Sequence, residues 1–269
     1  MPAIDRSRVR HSFQRGASLY DHLTPLQQRV VEQVLHRLPD APLAAPVLDI
    51  GCGTGRLLAG LVQRYPSAPV VGLDLAFAML RQARPRVGGR ALLLQGDAER
   101  LPFRGGSFAL IVSSSTFQWC DDLDACFREV YRCLRPGGRF SFALFGAGTF
   151  QELRECWRDA RSAYGIADRV GADGTHRFHT EAQVRAALER QQFGHVVVES
   201  LLEREWYPDV AHLLQSVKRI GAGSSRPPAG GGLGWRRVLH RMATYYTERY
   251  GTTGGVPASY EVIHGEGRR

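Results

Sequence analysis

A chain of 269 residues, 29.8 kDa, is long enough for one large domain, or one domain with an appended cap, around a core that needs no staples. Its 43% hydrophobic and 23% charged residues exclude a disordered or collagen-like chain, and no apolar run approaches the roughly 20 residues of a membrane helix. A net charge of +9 and a pI near 9.7 favour an anionic partner without choosing among nucleic acid, acidic protein and acidic lipid. Cys52, Cys120, Cys126, Cys133 and Cys156 include no CxxC pair, so neither a disulfide framework nor a zinc site is expected. The start, MPAIDRSRVRHSF, lacks the apolar region of a secretory signal, and the expected setting is the cytoplasm.

Residues 1 to about 40 read as helical, with Leu26, Val30, Val31, Val34, Leu35 and Leu38 at helical spacing. Pro39, Pro42 and Pro46 close this segment, 1–42, which is expected to form a helical cap. From Val47 to Phe145 short apolar runs alternate with helical stretches: VLDI, LLAGLVQRY, VVGLDL, AFAMLRQAR, ALLLQGD, FALIVSS, CFREVYRCL and RFSFALF. That alternation predicts an α/β fold, a parallel sheet with helices on both faces. Later helices are predicted at 150–164, at 180–192 with Thr180 as N-cap, and at 210–222. HVVVESLLEREWY at 195–207 reads as a strand, SSRPPAGGGLG at 224–234 as a loop, WRRVLHRMATYYTERY as a helix and ASYEVIHG as a closing strand. The expected organisation is a single domain, 1–269, with its core at 45–146 and a helical insertion at 208–250 before the last strand.

The sharpest motif is LDIGCGTG at 48–55. Gly51, Gly53 and Gly55 permit a tight turn and close approach of a ligand, and the helix they open offers a partial positive charge. Their spacing is GxGxG, not the GxGxxG of a dinucleotide fold. Asp49 would repel a pyrophosphate but could pair with an ammonium group. Asp74 ends the second strand, where an acid can accept from both ribose hydroxyls. Asp97, in QGDAERLPF, can accept from an adenine amine, and Ala98 can offer its backbone amide to a ring nitrogen. FALIVSSSTFQWC supplies a fourth strand ending at Ser113 and Ser114. All four signals fall at strand C-termini, where open α/β sheets bind ligands.

This order resembles the class I S-adenosylmethionine-dependent methyltransferases over residues 45–146, and the LRPGG turn at 134–138 is similar too. The resemblance implies a Rossmann-like, seven-stranded, mainly parallel sheet whose last strand is antiparallel, with 195–207 and 258–264 as sixth and seventh strands. It implies S-adenosylmethionine as cofactor: Gly51, Gly53 and Gly55 along the methionine part, Asp74 at the ribose, Asp97 and Ala98 at the adenine, Leu75 and Met79 flanking it, and Ser114 in the same set.

Outside the core, SFQRGASLYDHLTPLQQ, FQWCDDLDACFREVYRCLRPGG, LFGAGTFQELRECW, THRFHTEAQV, SVKRIGAG and PASYEVIHG resemble the malonyl-acyl-carrier-protein O-methyltransferases of biotin synthesis. The chain departs from them in its Gly-rich 229–234 loop and in an arginine-rich makeup where Lys218 is the only lysine. The likeness implies methylation of the free carboxylate of malonyl-acyl carrier protein, with malonyl-CoA as a variant thioester, to start pimeloyl assembly. An acidic carrier suits a basic enzyme. The carboxylate is already ionised at pH 7, so the transfer calls for positioning and exclusion of water rather than a general base or a metal. Arginine forks suit a carboxylate; the candidates are Arg15 and Arg177, with Lys218 and Arg219 nearer the carrier entrance. Tyr20 is expected to close over the cofactor, and Gln118 and Trp119 to line the methyl-transfer site. No nucleic acid is expected as partner, because the basic charge is spread without an aromatic-interleaved stripe, and no membrane is expected either. On the core motifs alone, another small carboxylic acid, a quinone precursor or an RNA stays open as acceptor.

Overall fold

In the computed structural model, which describes residues 6–120, 122–166, 178–219 and 233–269, the N-terminal segment is three helices rather than one. These are α1 (Arg6–Gly16), α2 (Tyr20–Leu23) and α3 (Pro25–Arg37). The expected continuous helix breaks at Thr24, whose hydroxyl donates back to the Tyr20 carbonyl at 2.7 Å. Pro25 follows, in the first turn of α3, where a proline's missing N–H costs no helical bond.

One sheet of seven strands follows, in the order β3-β2-β1-β4-β5-β7-β6. β1 (Val47–Ile50), β2 (Val70–Asp74), β3 (Ala91–Gln95), β4 (Phe108–Ser114) and β5 (Leu134–Phe145) are mutually parallel. β7 (Val256–Arg268) runs antiparallel between β5 and β6 (Gly194–Tyr207), giving the class I methyltransferase sheet. The central strands are buried on both faces, which is why they read as unbroken apolar runs. Successive side chains of β4 feed two cores: Val112 joins Leu58, Leu61 and Met242 on one face, and Ile111 joins Phe127, Val130 and Leu188 on the other.

The covering helices are α4 (Arg56–Arg64), α5 (Phe77–Val87), α6 (Leu123–Cys133), α7 (Gln151–Ser162), α8 (Glu181–Arg190), α9 (Val210–Arg219) and α10 (Leu233–Tyr250). Thr180 caps α8 in a reciprocal box: its hydroxyl accepts from the Gln183 N–H at 3.2 Å, and Gln183 Oε1 accepts from the Thr180 N–H at 2.9 Å. LRPGG is less a turn before β5 than a bulge within it. Phe108 pairs with Leu134 and Leu110 with Arg139, so the intervening residues loop out around Gly137 at φ +75°. The closing strand is longer than 258–265, because β5 and β6 hydrogen-bond to its two edges. The end of the 210–222 helix and most of the 224–234 loop lie outside the described residues. Among those described, no helix is long and apolar enough to cross a membrane.

Candidate active site

At the end of β1 the chain turns through Gly51, Gly53 and Gly55 at φ +71°, +53° and +83°, where side-chain-bearing residues are strained. A Cβ on Gly51 would sit 2.0 Å from Thr116 Oγ1, and one on Gly55 2.9 Å from the Ala83 Cβ of α5. Those two glycines serve close packing. A Cβ on Gly53 would meet nothing nearer than the Gly51 carbonyl at 4.0 Å, so that face is open to a ligand. The Gly53 N–H donates to Asp74 Oδ2 at 2.9 Å and the Ala76 N–H to Asp74 Oδ1 at 2.8 Å. Burial pushes the Asp74 carboxyl up to about 6, while these two N–H groups pull it the other way.

Beneath the turn, Asp49 is fully buried and neither carboxylate oxygen has a hydrogen-bond partner. Burial, and then the nearby Asp74, raise it well above the usual carboxylate range. A buried, unbonded carboxylate is costly unless a cation joins it. Its place beside an open glycine and the strand-end acid Asp74 fits the ammonium of an amino-acid-bearing nucleoside.

A cavity of about 800 Å³ opens at these strand ends. Gly51, Gly53, Asp74, Leu75, Met79, Asp97, Ala98 and Ser114 are among the residues that line it. Asp49 borders a smaller cavity of about 430 Å³ shared with Tyr20 and Gly53; Gly55 packs on α5 and lines none of these spaces. Another cavity, about 380 Å³, adjoins the first through Phe13, Tyr20, Ser115 and Trp119, which line both. Gln27, Gln118, Phe145, Thr149, Phe150, Phe178 and Tyr260 complete it.

The N-terminal helices close this region. The Phe13 ring meets Trp119 edge-on at 5.7 Å and Tyr20 at 6.1 Å. Gln14 Oε1 accepts from the Ala78 N–H at 3.0 Å, fastening α1 to α5. Asp21 accepts from the Thr54 hydroxyl and from Arg86, each at 2.6 Å, with Arg56 at 3.4 Å. Burial alone would raise the Asp21 carboxyl, but the bonds from Thr54 and Arg86 hold it below its ordinary value. Burial, then Asp74 and Asp21, raise the half-buried Tyr20 phenol, so it is a neutral hydroxyl at pH 7.

Tyr20, Gln118 and Trp119 thus meet around the shared wall, where the Gln118 amide donates to the Ser115 carbonyl at 2.7 Å. Arg15 does not join them. It is exposed on α1 and lines none of the three cavities, because the helix turns Phe13 inward and Arg15 out. Arg177 lies outside the described residues; Lys218 and Arg219 belong to α9, but their side chains are not described. The sequence reading missed Phe13, although Val9, Phe13, Ala17 and Tyr20 mark an apolar stripe on an otherwise basic segment. It also missed Ser115, held at φ +56° with a buried, unbonded hydroxyl. Gln27 and Tyr260 arrive from distant segments and carry no local signal.

Residues 48–142 match the methyltransferase domain family. Over 269 residues the chain is 48% identical to a malonyl-acyl-carrier-protein O-methyltransferase of Geobacter sulfurreducens, covering 99% of this chain and 100% of that one. A protein of the same name from Methylovorus is 35% identical over 97% and 88%. The biotin biosynthesis bifunctional protein BioHC of Saccharophagus degradans is 33% identical over 96% of this chain and 46% of its own length. Among solved structures, YcgJ of Bacillus subtilis superposes with a TM-score of 0.62 at 17% identity, covering 90% and 98%, a likeness of fold alone. With that sheet, that glycine turn and these relatives, the chain belongs to the malonyl-acyl-carrier-protein O-methyltransferase family of class I, S-adenosylmethionine-dependent methyltransferases.

Proposed function

We propose that this enzyme methylates the free carboxylate of a malonyl group carried as a thioester on acyl carrier protein. The end-to-end match at 48% identity carries the reading, and the adjoining cavities supply the room it requires. Masking the charge as a methyl ester would let chain-extending enzymes treat the group as an ordinary acyl end and begin a pimeloyl chain. The reading includes a cytoplasmic setting and neither nucleic acid nor membrane as partner.

S-adenosylmethionine, when bound, supplies a sulfonium methyl: the acceptor oxygen's lone pair forms the new bond, and the carbon–sulfur electrons remain on sulfur. The residues' work is placement. Asp49 pairs with the ammonium, Asp74 accepts from the ribose hydroxyls, and Asp97 with Ala98 reads the adenine. Phe13 and Trp119 wall the junction of the two cavities and keep water out. The neutral Tyr20 hydroxyl on that wall can donate to the malonyl carboxylate without consuming its nucleophilic oxygen. No side chain has to accept a proton, since an ionised carboxylate attacks. Arg177 remains our proposed fork for that carboxylate, with Lys218 and Arg219 toward the carrier entrance.

Intact-mass spectrometry of malonyl-, acetyl- and unacylated carrier, and of malonyl-CoA, with S-adenosylmethionine tests the reading. A gain of one methyl on malonyl forms alone is expected. No gain, with cofactor binding verified separately, would defeat the acceptor assignment.

A further inference from the structure

We propose that the outward face of α1 is the docking surface for the acidic carrier protein, whose thioester arm then enters the cavity beside it. The proposal rests on the malonyl-carrier reading and goes beyond it by placing the partner. The 11 residues of α1, RSRVRHSFQRG, hold four arginines and a histidine and no acid. Arg8, His11 and Arg15 recur at i, i+3 and i+7, so they share one face, and all three are exposed. From the opposite side Val9 and Phe13 line the cofactor cavity, and Phe13 lines the adjoining one as well. The basic face and the cavity wall are therefore two sides of one helix.

Exposed apolar groups border it. Leu19, 59% exposed, follows α1 by three residues. Phe77, 54% exposed, precedes the Ala78 whose N–H is bound by Gln14 of α1. Large exposed apolar side chains beside a basic face mark a protein contact more than a merely solvated surface. Arg15 has no ion-pair or hydrogen-bond partner among the described residues, so its full charge stays available for attraction. α10 is also basic, but Arg237 lies over Tyr164, Arg241 over Tyr245, and Arg249 pairs with Asp159. Among the described residues, none of α10 lines any of the three cavities.

The test compares Arg8→Glu/Arg15→Glu with a control of equal charge change, Arg236→Glu/Arg241→Glu. Steady-state kinetics are run on malonyl-carrier protein and on malonyl-pantetheine, which keeps the arm and lacks the protein. The α1 variant should raise KM for the carrier by at least about tenfold and flatten its salt dependence. Turnover of malonyl-pantetheine should stay within about twofold, and the control should behave as wild type on both. An unchanged carrier KM overturns the proposal, as does the loss appearing in the α10 control. An equal fall on both substrates also overturns it, because α1 would then act only as a cavity wall. A wild-type enzyme inert on both thioesters would instead defeat the acceptor reading on which the surface depends.

Discussion

Asp21 is the residue whose removal should most cleanly free the N-terminal helices from the glycine turn. It sits on the four-residue helix α2, which holds no buried residue, and reaches Thr54 of the turn and Arg86 of α5. Its carboxylate is 21% exposed and Arg86 is 32% exposed, so neither the full value of a buried charged bond nor the small value of a surface pair applies. We take about 1.5 kcal/mol for the bond from the enclosed Thr54 hydroxyl. The Arg86 pair, screened by solvent, adds about 0.5–1 kcal/mol. Asp21→Ala should therefore weaken the attachment by about 2 kcal/mol, and Asp21→Asn, which keeps a neutral acceptor for Thr54, by about 1 kcal/mol. Because the folded carboxyl lies below its ordinary value, the contribution is present above the unfolded pKa and is lost as pH falls through the folded one. Amide hydrogen exchange reads the effect directly. The His22 and Leu23 N–H groups, both bonded to the Leu19 carbonyl, should exchange about 30-fold faster in Asp21→Ala, while Ile111 and Val112 of β4 keep their protection. Exchange at His22 and Leu23 within about threefold of wild type would refute the latch and leave α2 held by packing alone. A parallel rise in β4 would mean global destabilisation instead.

Affinity for S-adenosylhomocysteine should fall as pH drops through about 6, because protonated Asp74 no longer accepts from both ribose hydroxyls. The loss should approach about tenfold per pH unit below 6, and a calorimetric series giving a flat Kd from pH 8 to 5 would contradict it. Gly51→Ala forces a Cβ to within 2.0 Å of Thr116 Oγ1 at φ +71°, and should cost about 2–4 kcal/mol in chemical denaturation and abolish cofactor binding. His264 is buried, its Nε2 paired with Gln33 at 3.1 Å and its Nδ1 unbonded; burial, helped by Arg37, pulls its imidazole down to about 4. The unfolded chain takes up that proton first, so stability should decline as pH falls from 6.5 toward 4, by no more than about 3 kcal/mol. Urea unfolding at pH 7 and pH 5 should show this loss shrinking in His264→Asn.

The residues that the sequence discloses are those whose role is written into a local pattern. Asp74 and Asp97 follow apolar strands, Gly51 and Gly53 need positive φ, and Thr180 stands three residues before Gln183. Each stands at a strand end, a tight turn or a helix start that local spacing marks, even where its partners are distant, as Gly53 is from Asp74. The break at Thr24 was hidden because Val30, Val34 and Leu38 dominate the periodicity on its far side. Arg15 was misleading for a different reason: chemistry nominated a fork, but the turn of α1 points Phe13, not Arg15, toward the cavities. Gln27 and Tyr260 reach one cavity from segments more than 200 residues apart, a distance that only the assembled sheet closes.

The antiparallel insertion of β7 sets a schedule for synthesis. β6 emerges from the ribosome before its hydrogen-bonding neighbour exists, since among the described strands it pairs only with β7. Until residues 256–268 follow, β6 is an unfinished edge carrying Leu201, Leu202 and Trp206, which remain exposed even in the completed fold. Such an edge invites pairing with other nascent chains and the attention of chaperones. The carboxyl half of the sheet is thus completed last, by one strand sliding between two already made.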